Sequence, residues 1–128
     1  MPTHAEQDAA TKLTEARRTI QDRGAVSLPR QPWLARRQPH SDAELIRYVL
    51  WRTGEGPEAV IDTDAILAAL QLAPSARAEL DQLEAGLLFA ARSRGLTWPQ
   101  IAQALGLASA QAAQQRCERI ASRLGGRR

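Results

Sequence analysis

Apolar positions recur every three or four residues along most of the chain, in segments set off by glycine, proline and capping residues. That spacing places one apolar stripe on each segment and predicts helices. The first runs from Thr3 to Arg23: Thr3 and Glu6 have capping-box spacing, and Gly24 stands where a helix stops. Its stripe, Ala5, Ala9, Leu13, Ala16 and Ile20, holds only two large side chains. A helix with so little to bury is expected to be frayed, or held only by a partner.

Residues 24–40 carry Pro29, Pro32 and Pro39 and cannot form a continuous helix. With Arg30, Arg36, Arg37 and His40 they read either as a basic arm along a DNA groove or as a linker. On the linker reading, Trp33 and Leu34 tuck against the main domain. That domain is expected to begin at Ser41, where Ser41 and Glu44 repeat the capping pattern, and Leu45 and Val49 continue a stripe to Thr53. Gly54-Glu55-Gly56-Pro57 ends that helix. Asp62 or Thr63 caps a short helix with Ile66, Leu67 and Leu70, closing near Leu72. Pro74-Ser75 is expected to open a separate, longer helix with Leu80, Leu83, Leu87 and Ala90 or Ala91 facing inward, stopped by Gly95.

Residues 96–124 hold the most informative pattern. Thr97 and Gln100 form a third capping box, with Pro99 in the first turn, where its missing N–H costs nothing. Trp98–Leu105 turns Ile101 and Leu105 inward, with Ala102 alongside, and Gly106 breaks the helix. Alanine followed four residues later by a turn glycine is helix-turn-helix spacing: the small side chain admits the next helix, and glycine takes the left-handed corner. Ser109 then caps a helix to about Leu124, with Ala113, Cys117, Ile120 and Leu124 inward. The first inward residue comes seven positions after Gly106, which predicts a turn one residue longer than the tight form.

Composition sharpens this picture. Twenty-four of the 128 residues are alanine, only three are valine, and one each are Phe and Tyr. Such a chain favours helices and has little material for sheets. The longest apolar run, Ala85 to Ala91, is too short to span a membrane. The opening residues Met1–Glu6 lack a basic leader and an apolar stretch, so no secretory signal is expected. A single cysteine, Cys117, fits a reducing cytoplasm and is assigned to the core. With His4 and His40 it makes no metal cluster, and no cofactor is expected. Arginine outnumbers lysine sixteen to one, a bias that reads as compositional. Its placement says more than its number.

The formal net charge is +3, but residues 1–40 carry +3, residues 41–84 carry −6 and residues 85–128 carry +6. A basic third is the footprint of a nucleic-acid-binding face. The acidic residues of the middle third fall mostly at helix starts and outward positions, where capping and solvation account for them better than acid–base catalysis. The outward face of the last helix carries Gln111, Gln114, Gln115, Glu118, Arg119 and Ser122. Gln pairs bidentately with adenine and Arg with guanine or phosphate, and a recognition helix leads with its base-reading residues.

Leu80 to Leu124 resembles helix-turn-helix DNA-binding proteins found widely in actinobacteria. More distantly, it is similar to the C-terminal promoter-reading region of sigma factors. The resemblance rests on Arg94–Gly106 (RGLTWPQIAQALG) and Gln111–Arg116 (QAAQQR), and covers 45 of the 128 residues. Where that pattern often has an aromatic after Gln-Arg, this chain has Cys117.

Together these readings give an all-α protein: residues 1–40 form a helix and a Pro/Arg-rich arm, and residues 41–128 a helical domain with its helix-turn-helix at 96–124. The expected function is transcriptional regulation or nucleoid association through double-stranded DNA, in the cytoplasm. The expected contacts are Thr97, Trp98, Ser109, Gln111, Gln114, Gln115, Arg116, Arg119, Arg123, Arg92 and Arg94. Arg30, Arg36 and Arg37 are the arm's candidates, and the Arg127-Arg128 tail adds charge. Trp98 is equally a core wedge or a phosphate donor. One such reader makes few contacts alone, so a homodimer or a supporting arm is expected, with the Thr3–Arg23 helix as the candidate segment. The alternative is a helical interaction module, an adaptor or sigma-factor-associated protein that does not read DNA. No nucleophile–base pair or phosphate-binding glycine loop points to an enzyme.

Overall fold

The structure, a computed structural model, describes residues 1–35, 38–54 and 61–125. These form five α-helices: α1 (His4–Asp22), α2 (Asp42–Thr53), α3 (Thr63–Ser93), α4 (Trp98–Leu105) and α5 (Ala110–Gly125), with a 3-10 turn at Ala25–Ser27. No helix among the described residues is long and apolar enough to cross a membrane. Arg36, Arg37, Glu55–Pro57 and the Arg127-Arg128 tail, all used in the sequence reading, lie outside the described residues.

The chain divides into two compact units, Met1–Ala76 and Arg77–Arg128, and α3 contributes residues to both. The division expected at residue 40 is therefore not where compactness changes. The reason lies in α1. Far from being frayed, it buries Ala16 and Ile20 in a core with Ala25, Leu45, Tyr48, Val49, Ala68, Ala69 and Leu72. Arg17 on α1 makes a bidentate pair with Asp42 at the start of α2, at 2.7 and 2.9 Å. Ser75 on α3 donates its hydroxyl to the same carboxylate at 2.5 Å. One buried carboxylate thus ties three helices. Asp42 is one of the helix-start acids of the middle third, but it is buried, 2% exposed, rather than solvated.

The end of α1 is fixed by a second contact. Gly24 has φ +119°, and a Cβ there would collide with the Tyr48 hydroxyl. Tyr48 Oη donates to the Arg23 carbonyl at 2.7 Å, so the close approach is itself a hydrogen-bonded one. Only glycine satisfies both demands. Trp33, expected to tuck against the domain, is exposed, while Leu34 is half-buried. Arg30 donates to the carbonyls of Ala35 and Gln38, both at 2.6 Å, and so closes its own loop.

The break expected at Pro74 does not occur: α3 runs through it. Proline there removes the N–H that would bond the Leu70 carbonyl. Helix is nonetheless needed on both sides, because Leu72 is fully buried and Ser75 must reach Asp42. The neighbouring alanines, Ala65, Ala68, Ala69, Ala73, Ala76 and Ala78, favour it.

In the second unit, Leu88, Ile101, Ala102, Ala113 and Ile120 form the core, with Ala85, Ala91, Trp98, Leu105, Leu107 and Cys117 packed around it. The leucines expected to face this core do not. Leu80, Leu83 and Leu87 are 66%, 65% and 71% exposed. The core-facing side of α3 lies roughly 110° around the helix from them, at 100° per residue. Small Ala85 and Ala91 beside Leu88 fill that side, so α4 and α5 meet the smaller side chains rather than the larger. Leu124, also expected inward, is 38% exposed.

Candidate nucleic-acid interface

The α3–α4 and α4–α5 corners are built alike. Gly95 (φ +83°) and Gly106 (φ +72°) each take the left-handed conformation just past a helix end. Leu96 N–H bonds the Ala91 carbonyl at 3.0 Å, and Leu107 N–H bonds that of Ala102 at 2.8 Å. This is the Schellman arrangement, which satisfies the last carbonyls of each helix. The next residues restart the chain as helix. Thr97 Oγ1 accepts from Gln100 N–H at 3.3 Å while Gln100 Oε1 accepts from Thr97 N–H at 2.8 Å, completing the expected capping box. Ser109 Oγ accepts from Ala112 N–H at 3.1 Å and so caps α5.

The two caps account for Thr97 and Ser109, whose hydroxyls orient α4 and α5. Trp98 is half-buried against the core, under the Arg92 guanidinium, whose carbon lies 4.8 Å from the ring centroid. Arg92 also donates to the Leu96 carbonyl at 2.9 Å. Arg92 and Trp98 thus form one clamp across the α3–α4 corner, and a cation over an indole face is an attractive pair.

On α5, Ala113 and Ile120 are buried and Cys117 is half-buried. The opposite face carries Gln111, Gln114, Gln115, Glu118, Arg119 and Ser122, all exposed. The arginines divide. Arg116 makes a bidentate pair with Glu84 on α3, at 2.6 and 2.8 Å. Arg123 reaches Asp81 on α3 at 3.2 Å. Arg94 and Arg119 are exposed and make no ion pair among the described residues.

Electrostatics follow the geometry. The hydrogen bonds from Arg116 hold the Glu84 carboxyl below its ordinary range against a smaller push from burial, and the charges of Arg116 and Arg123 add to this. Glu84 in turn raises Arg116. Both groups therefore stay charged at any ordinary pH.

Sequence reasoning placed the outward glutamines but missed Glu84 and Asp81 as partners of Arg116 and Arg123. The paired residues are separated by 32 and 42 positions, and no linear pattern connects them. Among the described residues, no group of three or more His, Cys, Asp or Glu side chains could hold a metal ion.

A separate concavity lies in the first unit. It is an open groove of about 510 Å³ lined by Ile46, Val49, Leu50, Thr53, Ile66, Ala69, Leu70 and Ala73. Ligand sites usually combine apolar walls with a few converging polar groups. Here the hydroxyl of Thr53 is already donated to the Leu50 carbonyl at 2.7 Å.

Compared with protein-family models, with curated proteins and with solved structures, the chain matches none. What it does has to be read from its own residues.

Proposed function

We propose that this chain is a small DNA-binding protein, a transcriptional regulator or nucleoid-associated factor of the cytoplasm. In this reading α4 and α5 work as a helix-turn-helix on double-stranded DNA. The reading carries forward the resemblance to actinobacterial helix-turn-helix proteins and, more distantly, to the promoter-reading region of sigma factors. The observation that supports it most is the solvent face of α5. Gln111, Gln114 and Gln115 stand exposed on its first two turns, with Arg119 behind them. Side-chain amides at the leading end of a capped helix suit the adenine edge in the major groove, and the arginine suits guanine or phosphate.

The ion pairs refine the assignment of roles. Arg119 and Arg94 are the phosphate contacts, because their charges are available. Arg116 and Arg123 set the seat of α5 on α3 through Glu84 and Asp81. Arg92 braces Trp98 at the start of α4.

Fluorescence anisotropy with genomic fragments tests this directly. With the two phosphate contacts of Arg94 and Arg119, affinity should fall roughly tenfold between ~50 and ~200 mM salt. Replacing Gln111 and Gln115 with Ala should remove discrimination between fragments while keeping the salt slope. Replacing Arg119 with Ala should flatten that slope. A flat salt response would remove the reading. The second reading, an interaction module that does not touch DNA, draws on the exposed leucines of α3 and expects all three substitutions to leave biological activity intact.

A further inference from the structure

Residues 85–128 hold a single carboxylate, Glu118, among seven arginines. It is exposed, midway along α5, on the side away from the core. At 3.6 residues per turn, Gln111, Gln115, Glu118 and Ser122 stand within about 30° of the direction opposite buried Ala113 and Ile120. Gln114 and Arg119 lie roughly 70° to either side of that direction. The most outward row is therefore free of cations. No contact within the fold accounts for a carboxylate in it. The helical neighbours of Glu118 at three and four positions are Gln114, Gln115, Ala121 and Ser122, none of which can pair with its charge. Among the described residues, the side chains of Gln111, Gln115 and Glu118 make no hydrogen bond or ion pair. Arg116 and Arg123 on the same helix are engaged with α3 instead. On a face that meets phosphates, an idle carboxylate only weakens attraction.

We infer that Glu118 is a specificity determinant: it accepts from the N4 amino group of a cytosine in the major groove, near adenines held by Gln111 and Gln115. This rests on the DNA-binding reading of α5. The three side chains share one chemistry. Each presents an oxygen acceptor, and the amino groups that suit it in the major groove are adenine N6 and cytosine N4. Each glutamine also donates to adenine N7. Guanine shows only the O6 and N7 acceptors there and would set lone pairs against the carboxylate. From Gln111 to Glu118 the helix rises about 10.5 Å, the length of roughly three base-pair steps. The target is thus a short stretch holding two A·T pairs and a C·G pair within about four base pairs. Glu118 adds no affinity among phosphates; it discriminates only while the two amides hold the helix in register.

Selection of duplexes from a random pool by the full chain should return such sites, and anisotropy on single duplexes measures each preference. Exchanging the C·G pair for G·C should weaken binding by roughly fivefold or more. Glu118→Ala should abolish that one preference, and Glu118→Gln should turn it towards A·T, with the other positions unchanged. Gln115→Ala should abolish the preference at one A·T pair only. N6-methyladenine at either A·T pair should weaken binding of the unaltered chain, because it takes from the groove the N–H that glutamine accepts. Circular dichroism should be unchanged in each variant, since these side chains are exposed. Glu118→Ala that strengthens binding to every duplex equally, with all base preferences intact, would overturn the assignment: the carboxylate would then only repel phosphate. Binding without base preference would overturn it and leave the DNA reading standing. No binding to any duplex would remove both.

Discussion

Burial alone would push the Asp42 carboxyl up, towards the neutral form. The hydrogen bonds from Arg17 and Ser75, together with the charge of Arg17, outweigh that and hold it below its ordinary value. A carboxyl whose folded pKa is depressed stabilises the fold above its unfolded value, near 3.9, and the contribution is lost as pH falls through the folded value. Stability should therefore hold through neutral pH and fall below about pH 4. Asp42→Asn should remove the acid-dependent loss contributed by this group. It should also lower stability at pH 7 by about 3 kcal/mol, because the Arg17 guanidinium then faces a neutral amide in place of the Asp42 carboxylate. Chemical denaturation across pH measures both. Arg17 was legible only as one more basic residue, and Asp42 only as a helix-start acid. Their pairing joins positions 25 residues apart, and that separation has no sequence signature.

At the scale of elements, the helix starts and corners were readable because they are set locally. Thr3, Ser41, Thr97 and Ser109 each accept a backbone N–H within three residues. Gly24, Gly95 and Gly106 take positive φ at the helix ends. The exception is Pro74, whose local signal says stop while tertiary contacts at Leu72 and Ser75 carry α3 through. Pro74→Ala should restore the hydrogen bond to the Leu70 carbonyl and remove the ring's clash with it. The expected gain is between about 1 and 3 kcal/mol, read as a raised thermal midpoint. An unchanged or lowered midpoint would mean that proline is accommodated without cost. The orientation of α3 was the larger miss. A search for the largest apolar side chains picks Leu80, Leu83 and Leu87, yet the chain packs on Leu88 with Ala85 and Ala91. The carboxylates that receive Arg116 and Arg123 lie on that same side.

For the whole molecule, uneven charge is the feature with the widest consequence. The basic excess of residues 85–128 is partly neutralised by two carboxylates from the acidic third, at Glu84 and Asp81. The net basic face on α5 is therefore smaller than a count of arginines suggests, and under the proposed function DNA affinity should depend on few cations. The role of residues 1–40 also changes at this scale. If they were an arm, removing them would trim contacts and leave α2 intact. They instead supply Ala16, Ile20 and Ala25 to a core with Leu45, Tyr48 and Val49. Deleting residues 1–40 should accordingly abolish amide exchange protection in α2; protection retained there would restore the arm reading.

The sequence by itself determined that this protein is helical, where most helices begin and end, and which face of α5 meets water. Those properties follow from propensity, capping and periodicity, all of which act within a turn or two of chain. The tertiary structure alone decided that α1 belongs to a core, that α3 is continuous through Pro74, and which side of α3 is buried. It also decided which arginines keep their charges available. Each of these depends on groups brought together from distant positions. There the energy of a buried carboxylate, or the fit of small side chains between helices, outweighs what any local stretch prefers.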